Sequence, residues 1–264
     1  MVRAGFYSVF LGIETPKSQD LRAMGKTQNA RRPVLESVRI IQGHGLEIWA
    51  GLILGLDTDG EDAGENMTEF VEQAVITMPM LNLLGATPHS RLHRRLAAEG
   101  RLLPQGGDGA SADSNIRYRL GQREVFRQYV ECWRRLFEPR TAFRRLERSN
   151  ALTAGGAGQP GALLPLRVRL MSLPRLLWRM GVLADYRREF WRAMLAALAR
   201  GGFDRFATQM GMLYHCLRVR EEILANPPVP ADEQAPTAKA AEAKRFRAEP
   251  ELAAAAAARQ PIEV

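Results

Sequence analysis

Residues 46–62, LEIWAGLILGLDTDGED, constrain the fold of this chain more than any other stretch. Residues 46–56 read as a buried strand that stops at an acidic, glycine-containing turn, and a helical pattern opens near Glu61. An apolar run this short, set between helical periodicities, predicts a parallel strand covered on both faces. Inside it lies Gly51-x-Ile53-x-Gly55. Glycines at that spacing leave gaps on one face, where another backbone or a flat ligand can come close. The plainer alternative is that they relieve tight packing of a helix on the sheet.

The flanking segments repeat the pattern. Residues 6–13, FYSVFLGI, are strongly β-prone and run into Glu14-Thr15-Pro16, where the proline ends the strand. A short helix is expected over 18–24, closed by Gly25. A longer one is expected to be capped by Asn29, with Pro33 in its first turn and Val34, Leu35, Val38 and Ile41 as its buried stripe. After the central strand, Asp59, Glu61 and Asp62 favour a helix start, and Met67, Phe70, Val71, Ala74 and Val75 form the next stripe. Residues 80–86 read as a third strand, ending at Thr87-Pro88. Alternating strands and helices of these lengths predict right-handed βαβ units and a parallel sheet. In such sheets chemistry collects at the carboxyl ends of the strands. Glu14/Thr15, Asp57/Thr58 and Thr87/Pro88 fall on that one edge, although polar residues also populate loops for no chemical reason.

The second half reads as helical. Residues 106–114 are an irregular link. Residues 120–146 carry the stripe Val125, Tyr129, Trp133, Leu136 and Phe137 up to Pro139, with Phe143 and Leu146 beyond it. Arg123, Arg127, Arg134, Arg135, Arg144 and Arg145 are expected on the opposite, solvated face. Residues 151–161 have linker composition. Residues 163–183 alternate apolar residues with arginines around Pro174 and contain Trp178, a pattern that suits either packing on the domain or contact with an anionic membrane. Residues 186–224 are helical, with Phe190, Trp191, Leu195 and Leu198 as one stripe. Gly201-Gly202 break the pattern, and Phe206, Met210, Leu213, Leu217 and Ile223 follow. The tail from Asn226 is rich in Pro, Ala, Glu and Lys and is expected to be disordered. The resulting division is 1–105, 106–150, a linker at 151–162, 163–226, and a tail at 227–264.

Composition narrows the function classes. A formal charge of +8 and a pI near 10.1 suit nucleic acid, an anionic membrane or acidic cofactors, and a high-GC genome yields the same Ala/Arg/Gly bias. The basic residues are spread over several helices and no nucleic-acid-binding motif is present, so nucleic acid is not the expected partner. Cys132 and Cys216 lie far apart in no metal-type spacing, and no metal site is expected on this chain. No signal-peptide pattern or bilayer-length apolar run appears, which gives a cytoplasmic expectation.

FLGIETP followed by LRAMGKTQNARRPVLESVRIIQGHGLEIWAGLILGLDTD resembles the second half of a radical S-adenosylmethionine (SAM) barrel. The resemblance is closest to the cobalamin-binding radical SAM proteins that include hopanoid methylases and carry a helical C-terminal extension. It rests on Gly12-Ile13-Glu14, Met24-Gly25-Lys26 and Gly51-x-Ile53-x-Gly55. It implies an α/β fold, the C-terminal half of a partial (β/α)6 radical SAM barrel, and a methyltransferase-type enzyme using SAM, a [4Fe–4S] cluster and cobalamin. By the same resemblance Gly12, Glu14, Thr15, Gly51, Ile53, Gly55, Asp57 and Thr87 are the cofactor-binding candidates. The glycine-spaced strand would lie against the adenine, and Glu14 would meet the polar ends of SAM. No catalytic residue is assigned. The CxxxCxxC motif of the family is absent, as is a cobalamin-binding segment, and only three of the barrel's strands are found. The chain is therefore expected to need a missing N-terminal half, in cis or in trans, and to be inactive alone. Its substrate is expected to be a small molecule or a lipid, with peripheral contact at the inner face of a membrane. The alternatives are a basic nucleic-acid-binding or RNA-modifying module and a non-catalytic membrane-surface scaffold. An unpaired sheet edge further predicts an unstable or oligomeric chain.

Overall fold

The computed structural model describes residues 1–17, 33–103, 114–154, 173–199 and 203–229. In order these form β1 (Ser8–Glu14), α1 (Val34–Gly43), β2 (Glu47–Leu54), α2 (Ala63–Ala74), β3 (Met78–Leu83), α3 (Arg91–Ala98), α4 (Gln122–Leu136) and α5 (Pro139–Thr153). A π-helical segment (Leu177–Leu183), α6 (Arg187–Ala199) and α7 (Phe203–Ala225) follow. The expected helix at 18–24, the Asn29 cap, the Met24-Gly25-Lys26 turn, the Gly201-Gly202 break and most of the expected link, linker and tail lie outside the described residues.

Among the described residues the strands form one open parallel sheet in the order β1-β2-β3. It is a mixed α/β fold, with no closed barrel among those residues. β1 pairs β2 with Phe10 beside Trp49 and Gly12 beside Gly51, and the register slips between Gly12 and Glu14. β2 pairs β3 with Gly51 beside Met80 and Ile53 beside Asn82.

Strand alternation sorts the side chains into two faces. Ile13, Ile48, Ala50, Leu52, Leu54, Leu81 and Leu83 are buried on one, under α1, α4 and α5, with α2 completing the helical layer. Each such leucine or isoleucine side chain removed from water stabilises the fold by roughly 1.5–3 kcal/mol. The other face is open: Phe10 is 57% exposed and Met80 46%, and Trp49 and Ile53 are only half-buried. The expectation of a central strand covered on both faces is thus corrected. The residues described supply helices for one side only.

Polar side chains fasten the helical layer. Gln42 of α1 donates to the carbonyls of Ala74 (2.8 Å) and Val75 (3.2 Å), satisfying the end of α2 where Val75 turns left-handed. At the other end of α2, Gln128 of α4 accepts the Gly64 N–H at 2.9 Å and donates to the carbonyls of Gly60 and Glu61. Arg145 of α5 corrects a second expectation. Instead of facing solvent it is 1% exposed, pairs with Glu72 of α2, donates to the Leu136 carbonyl at 2.8 Å and lies over the Phe137 ring. One guanidinium therefore ties α2, α4 and α5 together.

Pro139 begins α5 behind Glu138, whose carboxylate accepts the Thr141 N–H at 2.7 Å. α5 continues through Thr153, into the stretch expected to be linker. α7 packs across the amino ends of β2 and β3. Gln209 donates to the buried Glu47 at 2.9 Å, and the Cys216 thiol lies 3.7 Å from the Met78 sulfur. Met210 is fully buried there, as expected of a core filler, and Met212 is half-buried.

Candidate functional site

The open sheet face and its carboxyl edge hold most of the residues singled out in the sequence. Gly12 and Gly51 lie side by side in register, so two adjacent strands present bare backbone at the same level. A Cβ built on Gly51 would sit 3.1 Å from Cζ of Phe10 and 4.0 Å from Cα of Gly12. The exposed Phe10 ring thus lies over Gly51, and Met80 stands beside it on the next strand. Ile53 follows toward the carboxyl end, beside the exposed Asn82.

Gly55 has a different reason to be glycine. It lies beyond β2 with φ +91°, and a Cβ there would be 2.3 Å from the Tyr118 ring. The space is taken by the protein itself, and Tyr118 is held there by donating its hydroxyl to the Leu84 carbonyl at 2.9 Å. Of the two spaced glycines, only Gly51 belongs to the open sheet face, where it is buried beneath the Phe10 ring.

At the end of β1, Glu14 adopts φ 65°, a left-handed conformation that strains a non-glycine residue by about 1–3 kcal/mol. The register slip and a tight bond from Thr15 N–H to the Ile13 carbonyl (2.8 Å) impose it. Strain of this kind concentrates where a side chain must be aimed. Thr15 itself is buried and its Oγ1 accepts the Lys17 N–H at 3.3 Å, which shapes the turn.

After β2, Asp59 accepts the N–H groups of Gly55 (2.8 Å) and Leu56 (2.9 Å) with one carboxylate oxygen. Asp57 is engaged by Arg95 and Arg101, each at 2.7 Å, with Arg119 at 3.9 Å. Partial burial pushes its carboxyl up, but the hydrogen bonds from Arg101 and Arg95 outweigh that and hold it below the usual carboxylate range. The pairing docks α3 and the following residues onto the β2 loop. Thr87 is exposed beyond β3, where Ser90 caps α3 by accepting the His93 N–H at 3.0 Å.

Sequence reasoning gave no role to the segment that closes the far edge of this site. Asn115 exchanges two 2.8 Å hydrogen bonds with the backbone of Ala86, and Ser114 donates to the Leu84 carbonyl at 2.9 Å. An asparagine amide thus stands in for a neighbouring strand at that edge. A lone SN pair next to a glycine-rich stretch carries no periodic signal, so pattern reading passes over it.

The metal donors do not converge. Cys132 lies inside α4, donating to the Gly64 carbonyl at 3.2 Å, and Cys216 sits in α7. Burial pushes both thiols up to about 11. Among the described residues no group of three or more His, Cys, Asp or Glu could hold a metal ion. This donor set does not fit an iron–sulfur cluster, which requires several convergent thiolates.

Residues 90–227, from the cap of α3 through α7, match a family model described as a domain of unknown function, DUF4070. The chain belongs to the DUF4070 family. The sheet of this DUF4070 protein lies ahead of the matched region, and Asp57 with its arginines joins the two. The chain is 32% identical over 222 residues to a hopanoid C-2 methylase of Rhodopseudomonas palustris (strain TIE-1), covering 82% of this chain and 41% of that protein. It is likewise 32% identical over 225 residues to an uncharacterized methyltransferase of Synechocystis sp. (strain ATCC 27184 / PCC 6803 / Kazusa), covering 84% and 42%. The chain thus spans about two-fifths of the length of these curated relatives. Among the described residues no helix is long and apolar enough to cross a membrane.

Proposed function

We propose that this chain is the C-terminal portion of a methyltransferase-type enzyme of the cobalamin-binding radical SAM class, and that the open sheet face binds SAM. The observation that carries this reading is the adjacent side-chain-free backbone of Gly12 and Gly51 on the open sheet face, where the exposed Phe10 ring lies over Gly51, next to the strained Glu14. The similarity to two methyltransferases supports it. In this reading the three strands are half of a partial (β/α)6 barrel, and the remaining strands come from an N-terminal half in cis or in trans. The [4Fe–4S] cluster and cobalamin would be held there, since the cysteines of this chain do not fit a cluster.

SAM supplies a transferable methyl group when bound. Gly12 and Gly51 let its flat adenine approach the sheet, and Ile53 gives an apolar surface beside it. Glu14, at the strand end, accepts hydrogen bonds from the ammonium or the ribose hydroxyls. Asp57, ionised by its arginines, and Asp59, bonded to the Gly55 and Leu56 amides, hold the loop at the carboxyl edge of the open face. Thr15 shapes the β1 turn, and Thr87 closes the third strand end. The substrate is a small molecule or a lipid, and the enzyme is cytoplasmic with contact at the inner face of the membrane.

The test is SAM affinity by equilibrium dialysis on the complete enzyme, with both halves present. Gly51→Val suits a strand, and it displaces only the exposed Phe10 ring, so the fold is retained. It is expected to weaken SAM binding at least tenfold, and Glu14→Gln to weaken it less. Unchanged affinity in Gly51→Val removes the assignment of this face.

A further inference from the structure

The expected stripe of α6 sits differently in the structure. Phe190 and Ala193 are buried, whereas Leu195 is 62% exposed, Leu198 50% and Trp191 39%. On the preceding π-helical segment Trp178 is 58% exposed, and Val182 and Leu183 are exposed as well. Trp191 joins the two sets: its indole N–H donates to the Gly181 carbonyl at 2.7 Å, and its ring lies 3.1 Å from where a Gly181 Cβ would be. Large side chains of α6 that the helical periodicity placed on one stripe thus face outward, and Trp191 packs this helix against the π-helical segment that exposes Trp178.

The charges around it are sorted. On the protein side, Arg192 pairs with Glu147 of α5 at 2.9 Å, and Glu189 with Arg140 at 3.4 Å. Arg175, Arg179, Arg187 and Arg188 are exposed and have no ion-pair partner among the described residues. Arg179 donates to the Tyr214 hydroxyl at 2.9 Å, and the exposed Asp185 is an acid on this stretch with no ion-pair partner among the described residues.

We infer that this surface docks on an anionic phospholipid membrane, with Trp178, Leu195 and Leu198 entering the headgroup–acyl boundary and the unpaired arginines meeting lipid phosphates. Exposed tryptophan and leucine flanked by snorkelling arginines is the composition an interfacial helix needs. A second copy of the chain would bring arginine against arginine, which disfavours a homodimer through this face. A lipid phosphate surface complements every charge that is unpaired except Asp185. The inference names the surface for the membrane contact in the reading above but rests on its own geometry. Vesicle binding needs no SAM, so its failure would leave the SAM assignment intact.

The experiment is flotation of the full chain with vesicles of phosphatidylcholine alone, or of phosphatidylcholine with phosphatidylglycerol. The wild-type chain is expected to float with the anionic vesicles, to stay down with the neutral ones, and to be released by salt. Trp178→Ser combined with Leu195→Ser and Leu198→Ser, all exposed positions, is expected to reduce anionic-vesicle binding at least tenfold while the circular dichroism spectrum is unchanged. Arg175→Glu with Arg188→Glu is expected to abolish the preference for anionic lipid. No binding by the wild type, or full binding by both variants, overturns the inference. So does a wild-type dimer in light scattering that the serine variant alone converts to monomer.

Discussion

The two faces of the sheet come from the same three strands but end in different environments. On the covered face, Ile48, Leu52 and Leu54 meet helices of this chain, and little of them is left to solvent. On the open face, Phe10 and Met80 are exposed and Gly51 lies beneath the Phe10 ring. The covered face is finished within this chain, by the crossover helix α1 and by α4 and α5 from its second half. The open face is unfinished among the described residues, and its apolar side chains are those a barrel interior would bury. Within one strand, adjacent residues therefore meet different surroundings: Leu52 is fully buried in the core and Ile53 is half-buried on the open face. In the proposed function that difference marks which residues stabilise the chain and which wait for a ligand and the other half.

The largest expected effect tests how the covered face is tied down. Arg145→Ala removes a buried guanidinium from between α2, α4 and α5, leaving Glu72 and the Leu136 carbonyl without it. Urea unfolding is expected to show a loss of about 3–5 kcal/mol. Arg145→Met, which keeps the volume, should recover part of that loss. A loss no larger than that of a surface arginine would mean that the helical layer is held by its apolar contacts alone.

The next effect divides the two faces directly. Leu52→Ala is expected to destabilise by about 2–5 kcal/mol, as buried leucines do. Ile53→Ala, one residue along on the half-exposed side, is expected to change stability by about 1 kcal/mol or less. Similar values for the two would show that the open face is closed in solution, by a second copy or by another segment of the chain. If the proposed function holds, adding the N-terminal half should widen the Ile53→Ala effect and leave Leu52→Ala unchanged.

Much of the covered face was legible in the sequence. Val38, Met67, Phe70, Val71 and Ala74 fall where helical periodicity put them, and so do Val125, Tyr129, Trp133 and Phe143. The parallel βαβ order was legible too, because strand and helix lengths leave few other topologies. Where the reading failed, periodicity was right and the environment was not. The expected α6 stripe is split: Phe190 is buried, but Trp191, Leu195 and Leu198 face outward, and no hydropathy pattern says which face a partner will cover. Arg145 sits in an arginine-rich run, and only the fold reveals that Glu72 lies within reach. At the site, the Gly51 gap followed from spacing, whereas the strain at Glu14 comes from a register slip that is a property of two strands together.

The smallest effect concerns the seam between the sheet and the family-matched helices, and it depends on pH. Asp57 has its folded carboxyl held below the ordinary value by Arg101 and Arg95, so the folded state binds the proton less readily than the unfolded chain. Its contribution is therefore fully present above the unfolded value, near pH 4, and is lost as the pH falls through the lower folded value. Asp57→Asn is expected to lower stability by about 1 kcal/mol at pH 7, because the pairing arginines remain partly solvated. The gap between Asp57→Asn and the wild type should close as the pH drops below 4. If instead the gap persists unchanged in acid, the arginines hold the β2 loop through geometry that an amide also lacks, and the seam is not electrostatic. If Asp57→Asn loses stability at neutral pH but SAM binding to the complete enzyme is unaffected, the residue belongs with the covered face, as a fastening of α3. Loss of SAM binding at unchanged stability would move it to the open face.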